Sequence, residues 1–308
     1  MQSKIPIFQQ YWWMEVVCSG KQWDVALVMQ GDKVLGALPY LIGSKCGMRY
    51  IVQPQLTQFN GPWYNYEALE SPISESHRLR FECEVANKLI DSLSSLHLTC
   101  YQQCFSPTVT NWLPFYWRGF RQSTRYTYRI ENIENPDLVF QSFDVHERQR
   151  KITRNKERLQ IVETHDAAWF AQFHADYWNR KGKQELLPFD LVVRVANEAI
   201  ARHQGALLRL ENEWHQAVAA AFVIYDSNQA HLQMTAYSHD YYKSDHVTLL
   251  IWQLIQWLSS RTKAFDFEGS MIRGKEYFNR SFGTCQTPYF MVCRYANPLI
   301  SFMMRNRR

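Results

Sequence analysis

The stretch FDFEGSMIRGKEYFNRSFG, Phe265 to Gly283, brings the carboxylates of Asp266 and Glu268 and the ammonium group of Lys275 close together in sequence. Asp266 and Glu268 alternate with Phe265 and Phe267, so on a strand the acids share one face and the phenylalanines the other. Such a pair has two kinds of use. In one, a carboxylate binds an attacking ammonium or takes its proton, and the pairing raises one member's pKa towards the working range. In the other, the acids cap the next helix or pair with Arg273 or Lys275. Lys275 itself either neutralises an oxyanion or phosphate, or lies on a wet helix face. Gly269 allows a sharp turn or a close approach to substrate. Ser270 beside it either caps the helix or touches substrate. Phe278 and Phe282, four apart, lie on one helix face and read as core.

A second group of candidates is basic. Arg150, Arg154 and Arg158 recur at helical spacing, with Lys151 beside the first. Like charges in a stripe repel unless something anionic lies against them. Phosphate in a tRNA backbone, a uridine diphosphate, a lipid pyrophosphate or coenzyme A meets that need; pairing with Glu147 and Glu157 on a wet surface is the other account. Tyr126 and Tyr128 share a strand face just upstream, placed to stack on a base or sugar or simply to pack. In the first half, Gln58, Asn60 and Trp63 sit in a loop whose amides suit a peptide or sugar, or satisfy the loop's own backbone. His231, His239 and His246 do not have the spacing of a metal site.

These residues need elements to hold them. At 308 residues the chain exceeds one ordinary core, and its 46% apolar content suffices for two. The net charge of +5 allows an anionic partner without demanding one. Seven cysteines without a C-x-x-C pair argue against a disulfide framework or zinc site. The opening MQSKIPIFQQYWWMEVVC lacks the pattern of a secretory leader, and no apolar run reaches the roughly 18 residues of a membrane span. A cytoplasmic protein is expected.

Hydrophobic periodicity gives a helix over Phe8–Cys18, a hairpin over Trp23–Ile42 turning at Gly31-Asp32, a strand at Met48–Val52, a helix over Glu75–Leu96, and strands at Leu98–Phe105 and Phe120–Ile130. One continuous basic helix is expected from Leu138 to about Arg158. The second half then reads as helices at Ala167–Lys181 and Pro188–His203, followed by strands at Ala206–Glu211, Gln216–Tyr225 and Ala230–Tyr237. A helix at Val247–Arg261, a strand at Ala264–Glu268, a helix at Gly274–Phe282 and a strand at Tyr289–Tyr295 complete it. We expect an α/β (α+β) fold: one unit repeated twice, with mixed, mostly antiparallel sheets. Residues 1–135 form the first copy and 136–308 the second, with 136–160 a basic linking helix.

That element order is the plan of GNAT acyltransferases. The strand FDFEGS followed by G-x-x-x-F-x-x-x-F-G resembles the C-terminal signature of Fem-type proteins, tandem-GNAT aminoacyltransferases that build peptidoglycan cross-bridges. Other segments are similar to bacterial relatives of that FemAB-like type: YWWMEVVC with WDVAL, ALPYLI, QPQLTQFNGPW, LPFYWRGFRQSTRYTYRI and RQRKITRNKERLQIV. The resemblance runs through nearly the whole chain in order. It implies N-acyl transfer, of an aminoacyl group from aminoacyl-tRNA or an acyl group from acyl-CoA, onto an amine of a lipid- or nucleotide-linked cell-wall precursor. The donor would lie between strands Ala230–Tyr237 and Ala264–Glu268, beside Tyr237, with Asp266 or Glu268 taking the amine proton. No tightly bound cofactor is implied. An acyl-CoA-dependent acyltransferase acting on a small metabolite, sugar or lipid is the alternative, and a non-catalytic binding module the second. GNAT enzymes hold the coenzyme A pyrophosphate on a glycine-rich loop. The equivalent stretch here, HDYYKSDHVTLLIW from His239 to Trp252, has no glycine, which weakens the acyl-CoA reading. The tail PLISFMMRNRR mixes apolar residues with arginine and suits peripheral contact with the inner face of a membrane, or docking on the second domain.

Overall fold

The computed structural model describes residues 5–69, 74–155, 159–183, 187–238, 245–269 and 271–296. The chain divides into two compact units, Met1–Arg125 with Pro288–Arg308, and Tyr126–Thr287. The boundary thus falls ten residues earlier than the 135/136 expected from sequence, and the C-terminal segment groups with the first unit.

In the first unit, helix α1 (Tyr11–Val17) precedes the hairpin β1 (Gln22–Gln30) and β2 (Lys33–Lys45), then β3 (Met48–Val52) and β4 (Trp63–Tyr64). Helix α2 (Glu75–Ser94), β5 (Cys100–Cys104) and α3 (Leu113–Trp117) follow. Gly31 turns the hairpin with φ of 56°, a conformation glycine adopts without steric cost. The Ser74 side chain accepts the His77 amide and starts α2, whose inner face buries Phe81, Val85, Leu89 and Leu93. Its strands run in the order β1-β2-β3-β5-β12, with β4 on β2. The last of these, β12 (Cys285–Tyr295), begins in the second unit and pairs with β5 from Met291 to Tyr295.

Strand β6 (Arg121–Ile130) carries the chain into the second unit. There follow α4 (Pro136–Ser142), α5 (Arg150–Asn155), β7 (Gln160–Thr164), α6 (Ala167–Arg180), α7 (Phe189–Ala201), β8 (Gly205–Glu211), β9 (Ala217–Tyr225), β10 (Gln229–Tyr237), α8 (Asp245–Leu258), β11 (Ala264–Asp266) and α9 (Arg273–Arg280). The strand order is β6-β11-β10-β9-β8-β7. Strand β9, AVAAAFVIY, is apolar almost throughout because helices cover both of its faces, and Val218 to Ile224 are all buried. Helix α8 lies across the sheet and buries Leu249, Leu250, Ile251, Leu254, Ile255 and Leu258.

The repeat is visible in the pairing. Among the described residues, the strand pairs within each unit are antiparallel except for β3 with β5 in the first unit and β10 with β11 in the second. Each parallel pair is joined by its own crossover helix, α2 and α8 respectively. Among the described residues, no helix is long and apolar enough to cross a membrane. The tail from Pro298 to Arg308 lies outside them.

The single basic helix expected from Leu138 to Arg158 is broken in two. Phe143 is extended, and the Asp144 carboxylate caps a fresh start by accepting the Glu147 amide at 2.7 Å. Gln149 Nε2 ties off the end of α4 by donating to the carbonyls of Phe140 and Phe143. Between α4 and α5 lies one wide turn, Val145–Gln149, of the π type. It points Arg148 inward. The Arg148 guanidinium is buried, 4.2 Å from the Phe278 ring centre and 4.6 Å from that of Phe282. It donates to Thr248 Oγ1 and to the Phe278 carbonyl. Burial lowers its pKa to about 10, so it remains a cation at neutral pH. Arg148→Lys, which loses the planar stack and the forked donors, is expected to lower unfolding free energy by about 2 kcal/mol in a urea titration. An unchanged midpoint would contradict that role.

Candidate functional site

Strands β10 and β11 pair over only three positions, Gln229 with Ala264, Ala230 with Phe265 and His231 with Asp266. Beyond that point β11 stops and β10 runs on from Leu232 to Tyr237. Just past the split, β10 also bulges against β9. The register jumps from Leu232–Val223 to Met234–Phe222 and leaves Gln233 as the extra residue. A cavity of about 860 Å³ opens where the strands part. Leu232 to Thr235 line it from β10, Phe267 and Glu268 from the segment after β11, and Lys275, Phe278 and Asn279 from α9.

The expectation that Asp266 and Glu268 line one strand face fails, because β11 ends at Asp266. Asp266 is wholly buried and sits at the centre of a hydrogen-bond knot. Thr127 Oγ1 donates to its Oδ1 at 2.5 Å, the Glu268 amide to the same oxygen at 2.8 Å, and Gln229 Nε2 to Oδ2 at 3.2 Å. Arg129 Nε lies 4.0 Å from Oδ2. The carboxylate thus holds the amide two residues on, an Asx-type turn. The backbone takes a left-handed step there, with Glu268 at φ of 52°, while Phe267 still donates its amide to the Tyr128 carbonyl of β6. Asp266 therefore does not line the cavity; it holds the turn that presents Glu268. Gly269 keeps the chain against β6. Its amide donates to Thr127 Oγ1 at 2.9 Å, and a Cβ there would collide with the Tyr126 carbonyl and the Thr127 Cα. The close approach that needs glycine is to the protein's own backbone. Ser270 lies outside the described residues.

Glu268 accepts a hydrogen bond from Gln233 Nε2, so the bulge residue and the turn residue meet across the split. Gln233 Oε1 is buried and has no hydrogen-bond partner among the described residues. Burial, and next the Asp266 charge, push the Glu268 carboxyl well above the ordinary carboxylate range, against the pull of Gln233 and Lys275. A carboxyl with a raised folded pKa holds its proton more tightly in the folded chain. Its contribution to stability is present below the unfolded pKa and lost as pH rises through the folded one. Melting temperatures of wild type and Glu268→Gln should therefore diverge, with wild type falling more steeply as pH climbs from 4.5, the carboxyl's unperturbed value. Parallel curves would count against the burial of this carboxyl.

The other end of the cavity is aromatic. His174, Tyr177 and Trp178 line it from one face of α6, with Lys183 and Leu187 beyond the helix end. Trp178 Nε1 donates to His174 Nε2 at 3.3 Å, and Tyr177 packs edge-on against Tyr237 with ring centres 4.7 Å apart. Tyr237 thus backs this aromatic wall. The spacing of His174, Tyr177 and Trp178, i, i+3 and i+4, was legible in sequence; the bulge at Gln233 was not.

The remaining candidates fall elsewhere. Arg150 and Arg154 are exposed on α5 and Lys151 is half-buried; none of them lines the cavity. Arg150 Nη1 contacts His146 Nδ1 at 3.0 Å, Lys151 pairs with Glu147 at 3.1 Å, and Arg154 lies 3.6 Å from Asp245 at the start of α8. Arg158 is outside the described residues. Tyr128 is buried and accepts from Gln286 Nε2 at 2.8 Å, and Tyr126 packs against the second unit's core. In the first unit Gln58 is half-buried, and Trp63 lines a separate cavity of about 340 Å³ with Gln9, Tyr66 and Glu67. His231 is buried beside Arg129, and burial with that charge lowers its pKa to about 3, which keeps it neutral.

Residues 141–279, within the second unit, match the family model described as an acetyltransferase (GNAT) domain. The whole chain is similar in fold to FemX, with a TM-score of 0.70 at 11% identity over 92% of each chain. It is also similar to the C-terminal domain of a putative lysylphosphatidylglycerol synthetase from Agrobacterium fabrum, at TM-score 0.62 and 10% identity over 94% of this chain and 89% of that one. A tandem GNAT protein from the clavulanic acid biosynthesis pathway matches at TM-score 0.50 and 9% identity over 91% and 85%. No curated protein matches by sequence. These likenesses establish the fold, a tandem GNAT arrangement.

Proposed function

We propose that this chain, a tandem-GNAT protein of FemX-like fold, transfers an acyl group from an activated donor to the nitrogen of an amine. The observation that carries the reading is the cavity at the β10–β11 split with Glu268 and Lys275 on its wall. The donor carbonyl lies against β10 past the split, where the strand has no β11 partner and its backbone amides can polarise the carbonyl oxygen. The amine arrives as an ammonium. Glu268, as carboxylate, takes one proton, and its raised pKa makes it a better base than an ordinary carboxylate. The freed nitrogen attacks, the C–N bond forms, and the bond to the donor's sulfur or oxygen breaks. The second nitrogen proton leaves with that group, and Glu268 returns its own to solvent. Lys275 stands beside the negative charge that develops. Asp266 acts only through the turn it holds.

Two donors fit this scheme, an aminoacyl-tRNA and an acyl-CoA. The Fem-type resemblance of the sequence favours the first, and the match of residues 141–279 to an acetyltransferase (GNAT) domain favours the second. Arg150, Lys151 and Arg154 would meet the donor's phosphates in either case, and a cell-wall precursor would supply the amine at the inner face of the membrane. The test is incubation of purified protein with mixed amine acceptors and either labelled acyl-CoA or a pool of charged tRNA. Amide-linked label from one donor pool identifies the donor; none from either contradicts the reading.

A further inference from the structure

The cavity's lining says more about its occupant than the reaction alone requires. Four separate elements send apolar side chains into it: Leu232 and Met234 from β10, Val247 and Ile251 from α8, Phe267 after β11, and Phe278 from α9. Val247 and Ile251 lie four apart and so share one face of α8. Of the polar groups, Gln233, Glu268, Lys275 and Asn279 come from the strand split and from α9, Thr235 from further along β10, and His174, Tyr177 and Lys183 from α6 and the chain just beyond it. An acetyl or glycyl group would leave most of the 860 Å³ to water lying against six apolar side chains. A pocket of this size and lining binds best what removes that water.

We propose that the transferred acyl group is bulky and apolar, a fatty acyl chain or a large apolar aminoacyl group, seated in the lobe formed by these six side chains. The proposal rests on the transfer reading above, which puts the acyl carbonyl at the strand split beside this lobe. Glu268 and Lys275 stand at the polar end, where the carbonyl and the amine meet. The hydrocarbon extends away from them, between β10 and α8.

Four nucleotide-free thioesters of N-acetylcysteamine test it by calorimetry on the full chain: octanoyl, phenylalanyl, acetyl and glycyl. Each buried methylene strengthens binding by about fourfold, so octanoyl or phenylalanyl is expected to bind at least about a hundredfold tighter than its short counterpart. Octanoyl alone showing the gain identifies a fatty acyl source, and phenylalanyl alone an aminoacyl one. Val247→Trp, which fills the lobe from a half-buried position, should erase the preference for the longer thioesters. Equal affinities for all four, or no binding of the longer pair at millimolar concentration, overturn the proposal. The four-ligand comparison on wild type stands even if the variant fails to fold. The two readings fail differently. A length preference without amide product sinks the transfer reading and leaves the pocket assignment standing. Amide formation from acetyl and octanoyl alike, with equal affinity, does the reverse.

Discussion

Glu268→Gln is expected to lower kcat/KM for amide formation by about a hundred- to ten-thousand-fold, the usual contribution of a positioned general base. The substitution keeps the volume of the side chain and leaves a carbonyl oxygen to accept from Gln233 Nε2. It removes only the capacity to take a proton from the incoming ammonium. The fold should survive, because burial and the adjacent Asp266 charge disfavour the ionised form that the substitution removes. A melting temperature at or above that of wild type near neutral pH, together with lost transfer, is the expected pair of results. Wild-type activity in this variant would remove Glu268 from the chemistry.

Asp266→Ala should act on stability, by about 3–5 kcal/mol, the range for removing one partner of a buried charged network. Its carboxylate is wholly buried and accepts from Thr127 Oγ1, Gln229 Nε2 and the Glu268 amide. Truncation strands all three donors and leaves Arg129 without its nearest buried anion. Asp266→Asn, which keeps one acceptor oxygen, should lose clearly less. Denaturant unfolding reads both, with an unchanged m-value marking a true stability effect. A loss below about 1 kcal/mol for the alanine variant, the scale of one ordinary hydrogen bond, would mean that the turn does not depend on this carboxylate. Transfer should fall in the folded fraction as well, since Glu268 owes its position to that turn.

Much of the fold was legible because apolar periodicity reports it directly. The hairpin at Gly31, helix α2, the strands β8 to β10 and helix α8 lie within a few residues of where the sequence puts them. Local spacing failed where a side chain overrode periodicity. The Asp144 cap and Gln149 Nε2 break a segment whose composition reads as one helix. The Asp266 carboxylate ends β11 two residues early, so the alternation of Phe265, Asp266, Phe267 and Glu268 says nothing of where Glu268 points. Glu268 and Lys275 were singled out by residue type, and both line the cavity; Asp266 was singled out by the same logic and does not. Arg148 was legible only as one more cation of a basic stretch. Its inward direction comes from the wide turn before α5, and its aromatic partners are 130 residues or more away in sequence. The bulge at Gln233 depends on the register between β9 and β10, which no single-strand pattern encodes.

The central claim is that Glu268, at the split of β10 and β11, takes a proton from an amine as that amine is acylated. Its most direct test is a mass-spectrometric comparison of cells expressing the wild-type chain with cells expressing Glu268→Gln at equal abundance, covering muropeptides, lipids and soluble amines. The account predicts at least one N-acylated species that is present with wild type and missing with the variant, while its free-amine precursor accumulates. Identical profiles in the two strains would contradict it.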